Sequence, residues 1–300
     1  MHATRRALDA QRQHWQHGPI DLVLEAWGDA AALARAYAAA WARFEQVLPE
    51  LVSELASLRL PVNPALRVRG AVAQRMLAAC QPHAARFITP MAAVAGAVAD
   101  EICALFAAAP GVRRAYVNNG GDIALYLAGG APDSEVLTIG IIDHPHPSQP
   151  AGRVSTSVTT SVTITSAMPV RGIATSGWRG RSFSLGIADS VTVLAASAAA
   201  ADAAATMIAN AVNASHPAIV RAPANALKDD TDLGALPVTV KVPPLPRAVV
   251  LHALAAGLML ARALVEAGLI DSALLLLQGE TKQTGRALAL EAGAALTLAA

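Results

Sequence analysis

Asp202 and Thr206 lie four positions apart in the alanine-rich run Ala201-Asp202-Ala203-Ala204-Ala205-Thr206. On a helix that spacing puts a carboxylate and a hydroxyl on one face, and both are hard oxygen donors of the kind Mg²⁺ accepts. Two protein ligands are few, yet Mg²⁺ completes its octahedron with water and substrate phosphates; the competing reading is a helix start with a solvated aspartate. Asn118-Asn119-Gly120-Gly121-Asp122 joins two expected strands. Its paired glycines permit positive φ angles and let the backbone come close to a ligand, although the same letters also make an ordinary hairpin turn. In the first case Asp122 would orient a ribose or a ring nitrogen. Ala174-Thr175-Ser176-Gly177 ends another strand and enters Trp178-Arg179-Gly180-Arg181-Ser182. The hydroxyls and N–H groups of that loop could line an anion or nucleotide pocket, with Arg179 and Arg181 supplying charge, but Thr-Ser-Gly is equally at home in a plain loop.

Other polar clusters carry less. Asp143-His144-Pro145-His146 invites a metal, but no third His or Cys cluster is linked to it by spacing. Asp189 is a further carboxylate that would cap or ligate. His83 and His216 fall in no Ser/His/Asp order, and His252 sits in a helical segment as a packed or surface residue. Cys80 and Cys103 form no CxxC pair, so they are expected as buried thiols.

The elements that must position these residues follow from texture. Asp29–Leu58 is rich in Ala, Leu and Glu, which predicts a helix, a break near Pro49 and a short continuation. Arg69–Ala79 also reads as helix. Pro90 then introduces Met91–Ala108, where small residues give a smooth surface suited to close packing or close approach to a ligand, and Asp100 and Glu101 mark its polar side. Arg114–Asn118, Ile123–Leu127 and Val136–Ile142 carry β-branched and aromatic residues between glycine turns, a meander of antiparallel strands. Val154–Thr165, Gly172–Ser176, Ser182–Leu185 and Ser190–Ala195 are further expected strands, and Asp202–Val212 returns to helix. Beyond His216 the chain reads as irregular apart from Val238–Val242, and Ala248–Ala267 and Ile270–Leu277 finish as helix and strand. One domain over residues 1–300 is expected, with a helical N-terminal scaffold and a helical C-terminal segment.

Composition narrows the partners. With 23 basic and 22 acidic side chains and no basic block, neither nucleic acid nor anionic lipid is favoured, which leaves a small molecule. Ser190–Val212 and Ala248–Leu277 are apolar enough to be weighed as membrane spans, but the charges of Asp202, Arg262, Glu266 and Asp271 favour Ala-rich core helices. The Ala248–Leu277 region reads either as a subunit interface, which would make the protein a homo-oligomer, or as a core helix. The opening residues lack the apolar stretch of a secretory signal, so a cytoplasmic protein is expected.

Four motifs occur in a telling order: Thr89-Pro90-Met91-Ala92-Ala93-Val94-Ala95-Gly96-Ala97-Val98-Ala99-Asp100, then Asn118–Asp122, then Ala174–Gly177 with Ser182–Asp189, then Ala201–Thr206. Together they resemble the ApbE-like superfamily, and Pro-Met-Ala-Ala-Val-Ala-Gly and Ser-Phe-Ser-Leu-Gly-Ile-Ala-Asp are most similar to its cytosolic UPF branch. The resemblance spans roughly residues 65–215. It implies an α+β fold of the T-fold-like kind, with FAD or FMN bound between glycine-rich strand turns and a small-residue helix near Met91 and Ala92. It implies Mg²⁺ held by Asp202, Thr206 and the carbonyl near Val94. Asn118, Asn119, Gly120, Gly121, Asp122, Thr175, Ser176, Gly177, Arg181 and Ser182 would line the nucleotide. The implied activity is transfer of FMN from FAD to a protein or other FAD processing; the alternative is a non-catalytic ligand-binding or scaffold protein that keeps the pocket. Two departures bear on that choice. Val94-Ala95-Gly96 replaces the transferases' Ala-Lys-Gly, and Arg181 stands where the UPF branch commonly has a histidine.

Overall fold

The computed structural model describes residues 2–9, 11–129, 135–142 and 158–286. Asp143-His144-Pro145-His146 and the start of the expected Val154–Thr165 strand lie outside them.

The chain opens with three strands, β1 (Thr4–Ala7), β2 (Gln13–His17) and β3 (Ile20–Gly28), before α1 (Ala30–Ser53) and the single turn α2 (Leu55–Leu58). The N-terminal scaffold is therefore not purely helical as expected. The signal was present in the letters: Ile20, Leu22, Leu24 and Ala26 are buried while Asp21 and Val23 are not, the period of two that a half-buried strand requires. Pro49 does not break α1, which runs on to Ser53. Pro49 is exposed, so water can satisfy the carbonyl it frees, while Val47 and Leu51 stay anchored in the core on either side. Then come α3 (Ala71–Cys80), a short 3₁₀ turn at Pro90–Ala93, and α4 (Val94–Ala107).

Strands β4 (Val112–Asn119) and β5 (Asp122–Leu127) form the first hairpin, β6 (Val136–Ile142) and β7 (Val158–Thr165) a second, and β8 (Gly172–Ser176) and β9 (Ser190–Ala195) a third pair. After α5 (Ala198–Ala211) follow β10 (Val220–Pro223), the turn α6 (Ala224–Leu227), β11 (Pro237–Lys241), α7 (Arg247–Glu266), β12 (Ser272–Leu277) and β13 (Glu280–Gly285). The expected strand at Ser182–Leu185 is absent. There the Asn210 side chain accepts from Leu185 N–H at 2.9 Å and from the Ser184 hydroxyl at 3.2 Å, so side-chain bonds take the place of a ladder. The run after His216, expected to be irregular, forms the small β10–β11 sheet.

Nine strands make one antiparallel sheet in the order β1-β2-β3-β4-β5-β8-β9-β12-β13. Alternation sorts its side chains into two layers. Ala124, Ala174, Val191, Val193 and Leu275 face the helices, whereas Ile123, Leu125, Ile173 and Leu194 face the other way, where Leu137, Val162 and Ile164 of the β6–β7 hairpin cover them. The result is a mixed α+β architecture of antiparallel sheet and Ala-rich helices, as expected. The Ser190–Val212 segment divides into β9 and α5, as the expected strand at Ser190–Ala195 and helix at Asp202–Val212 require. Two helices, Pro90–Ala107 and Arg247–Glu266, are long and apolar enough to cross a membrane by length and composition alone; Val98, Ile102 and Phe106 of the first and Leu254, Ala261 and Leu264 of the second are core residues.

Helices α4 and α5 touch closely, and glycine makes that contact. A Cβ on Gly96 would collide with the Ala198 carbonyl, and one on Gly172 would collide with the backbone of Ser197 and Ala198. The small residues of α4 thus serve close packing.

Candidate functional site

The four motifs meet at the first turns of α4 and α5. Each helix lends the other a carboxylate. Asp100 of α4 accepts from Ala198 N–H at 2.9 Å and Ala199 N–H at 2.8 Å, while Asp202 of α5 accepts from Gly96 N–H at 3.0 Å. Both carboxylates thereby satisfy orphan amides at a helix N-terminus, where the macrodipole also favours negative charge. Asp100 and Glu101, expected on a polar face, instead join elements: Glu101 accepts from Arg43 at 2.7 Å and from Arg75 at 3.0 Å.

The β4–β5 turn abuts this clasp. Gly120 (φ 66°) and Gly121 (φ 114°) take the left-handed conformations of a two-residue hairpin, and Asn118 Oδ1 accepts from Gly121 N–H at 2.8 Å. The hairpin reading and the ligand-corner reading are therefore compatible, because the turn aims its flanking residues inward. Asn119 is buried and donates from Nδ2 to the Ala95 carbonyl at 3.1 Å, tying the turn to the start of α4. Across the strand pair from it, Asp122 accepts from Thr175 N–H at 3.3 Å, tying the turn to β8. Asn119, Asp122, Thr175 and Asp202 are thus joined through one set of contacts.

Its electrostatics are unusual for a surface turn. Asp122 and Asp202 are deeply surrounded by protein, yet each keeps some surface open to solvent. Burial pushes the Asp122 carboxyl up to about 7, against the opposing pull of the Thr175 amide and the Arg181 charge. Burial also raises Asp202 well above the carboxylate range; the neighbouring charge of Asp122 raises it further, and the Gly96 and Ala95 amides offset only part.

The remaining expected residues fall around this centre. Val94 opens α4, one residue before Ala95, and Thr206 lies one turn beyond Asp202 on α5 with part of its surface open. Met91 and Ala92 sit in the 3₁₀ turn just before α4, half-buried. Thr175 Oγ1 is 2.9 Å from Thr192 Oγ1, and Ser176 follows it on β8. Gly177 packs against the Asp189 carbonyl, with no room for a Cβ. Arg181 is exposed, and its guanidinium occupies the space where a Gly120 side chain would stand; Ser182 beside it is exposed. Arg179 does not join the site. It stacks on Trp178 and pairs with Asp189 at 3.0 Å, and Asp189 also accepts from Gln278 N–H at 2.6 Å. Asp189 therefore fastens the loop to the β12–β13 turn. His83 is buried, and its imidazole is pushed below its ordinary value by burial.

Sequence reasoning missed one more participant: the Thr89 hydroxyl donates to Asp232 from the acidic run Lys228–Asp232, so that loop reaches back to the segment leading into α4.

Among the described residues no three His, Cys, Asp or Glu side chains gather as a metal cluster. Two buried carboxylates that raise each other, a nearby hydroxyl and helix-start carbonyls are nonetheless an oxygen-only donor set short of positive charge. That chemistry suits a hard divalent cation completed by water and ligand phosphates. Two open surface clefts of about 350 and 250 Å³ lie on the other side of the clasp, around Arg75, Asp100 and Ser197. There the helix-start amides of Ala198 and Ala199 donate to Asp100.

A family model described as AbpE bacteria matches residues 4–283. A UPF0280 protein of Methanothermobacter thermautotrophicus is 38% identical over 146 residues, covering 48% of this chain and 50% of that protein. A UPF0280 protein of Methanopyrus kandleri is 36% identical over 147 residues, covering 49% and 51%. The chain spans about half the length of the curated relatives it matches. Among solved structures, the flavin transferase ApbE from Vibrio cholerae, in a mutant form, aligns over 92% of this chain and 97% of its own at 12% identity and a TM-score of 0.45. The ApbE protein of Thermotoga maritima aligns over 85% and 76% at 16% identity and a TM-score of 0.36. Those two likenesses are too low to bear on the site.

Proposed function

Since the chain belongs to the family described as AbpE bacteria, in its UPF0280 branch, we propose that it binds a flavin or related phosphorylated nucleotide together with Mg²⁺. The single observation that carries the proposal is the juxtaposition at the start of α4 of Asn119, bonded to the Ala95 carbonyl, and Asp202, bonded to the Gly96 amide, with the charge of Asp122, itself held by the Thr175 amide, acting on Asp202. The motif resemblance points to flavin, and the donor set points to the ion.

In this reading Asp202, Thr206 and the Val94 carbonyl hold Mg²⁺. The bound ion supplies charge neutralisation at the ligand's phosphates. The β4–β5 turn, with Asn118 and Asn119 beneath Gly120 and Gly121, forms one wall; Thr175, Ser176 and Gly177 form the second; Met91 and Ala92 border the third. FMN transfer from FAD is the enzymatic form of the same reading. A non-catalytic binding role is favoured by two features: Arg181 offers hydrogen-bond donors and no acceptor, and Ala95 brings only a methyl group to the start of α4. A cytoplasmic setting accords with two thiols that are free and buried.

Equilibrium titration of FAD and FMN, followed by flavin fluorescence with and without Mg²⁺, tests this. Saturable binding that strengthens with Mg²⁺ is expected, and Asp202→Asn should abolish the Mg²⁺ dependence while leaving the protein folded. Absence of flavin binding under both conditions would overturn the proposal. Mass spectrometry of FAD incubated with the protein, Mg²⁺ and Ser- or Thr-bearing peptides then separates enzyme from binder.

A further inference from the structure

The site's charges do not favour the ligand's phosphates unaided. Asp122 and Asp202 carry two negative charges when ionised, and Arg181 faces Asp122 as a positive one. With both carboxyls ionised, the state in which they would hold a cation, the three groups sum to about −1 by formal charge, which alone would repel a phosphate. With one divalent cation the sign inverts. Arg181 is therefore the protein's own share of the positive charge that a phosphate would meet.

Its placement is structural as well as electrostatic. The guanidinium lies in the volume directly above Gly120, so a side chain at that position would displace it. Gly120 itself is favoured by its positive φ. The nearby Arg179 is turned away and committed to Asp189 and Trp178, so the loop presents one arginine to the rim and spends the other on its own anchoring. Arg181 is exposed there, its planar fork suited to a phosphate oxygen pair.

We propose that Arg181, seated over Gly120, is the residue that makes the pocket select phosphorylated ligands over their unphosphorylated counterparts, acting jointly with the divalent cation. The ligand class is a phosphate monoester or diphosphate; the group attached to it is recognised elsewhere. This rests on the carboxylate-pair site proposed above but not on the ligand being a flavin.

The test compares riboflavin, FMN, FAD and inorganic pyrophosphate on the full chain, the flavins by fluorescence and pyrophosphate by calorimetry, each with and without Mg²⁺. Loss of a charge-assisted contact predicts that Arg181→Ala weakens FMN, FAD and pyrophosphate about 10- to 100-fold in Mg²⁺ and changes riboflavin less than about 3-fold. Arg181→Lys should recover part of that loss. Gly120→Ala should imitate Arg181→Ala by displacing the guanidinium; because its φ is unfavourable for alanine, its fold is checked by circular dichroism. Arg179→Ala should leave the discrimination intact.

Equal weakening of riboflavin and FMN in Arg181→Ala, no weakening of any ligand, or a wild-type protein that ignores pyrophosphate in Mg²⁺ would each overturn the proposal. Arg181-dependent pyrophosphate binding without any flavin binding would uphold it and remove the flavin reading instead, so the two failures are distinguishable.

Discussion

A single carboxyl shows how much the site asks of its residues. Asp122 is raised from an ordinary value of 3.8 to about 7, mainly by burial. A group whose pKa is raised on folding contributes stability that is fully present below its unfolded value and lost as pH rises through its folded value. In EDTA, then, this carboxyl's contribution is intact below about pH 4 and fades as pH passes through about 7. Asp122→Asn should raise the melting temperature of the metal-free protein at pH 8 and lose that advantage near pH 5. A thermal-shift series across pH checks it, and an unchanged wild-type-to-variant difference from pH 5 to 9 would contradict the burial argument. At this scale the sequence was partly legible. Asp202, Asn119 and Thr175 stand out by type and spacing, but nothing in their letters says that Asn119 would reach Ala95 or that Arg179 and Arg181 would turn opposite ways. Those choices are made by partners far along the chain, Asp189 and Gln278 among them.

Among the elements, the α4–α5 clasp is the feature to perturb. Gly96 has no free volume beside the Ala198 carbonyl, and overpacking of that kind typically costs about 1 to 3 kcal/mol. Gly96→Val should destabilise at the upper end, since the obstructing atom is backbone and cannot rotate away. Asp100→Ala removes the acceptor of the Ala198 and Ala199 amides while Ser197 still accepts from Ala200 N–H, and should cost about 1 to 2 kcal/mol. Chemical denaturation measures both, and an Asp100→Ala variant as stable as the parent would show the cap to be redundant. Helices and most strands of this region were readable from texture. Strand β3 was legible too, in the alternation of Ile20, Leu22, Leu24 and Ala26, whereas β1 is exposed throughout and carries no such period. The Ser182–Leu185 strand failed for the opposite reason, as its β-like letters were overridden by the side chain of Asn210.

In the molecule as a whole, Cys80 and Cys103 report on the integrity of the core. Both are buried, and burial pushes both thiols well above their ordinary range, so neither offers thiolate to a reagent in the native state. Ellman titration should find both unreactive under native conditions and both reactive in denaturant; rapid native labelling of either would mean that α3 or α4 opens locally. The sheet order could not be read from the chain, because β8, β9 and β12 are neighbours only through pairings that skip the β6–β7 hairpin and α7. That order also shapes assembly. The β4–β5 and β12–β13 hairpins join near neighbours and can form early, whereas β3 waits for the chain beginning at Val112 and β9 keeps one open edge until the chain beginning at Ser272 arrives. Closing so distant a pairing is entropically slow. A nascent chain of this protein therefore carries open edges on strands that end up largely buried, β3 until β4 emerges and β9 until β12 does, and each is an aggregation hazard until its partner docks.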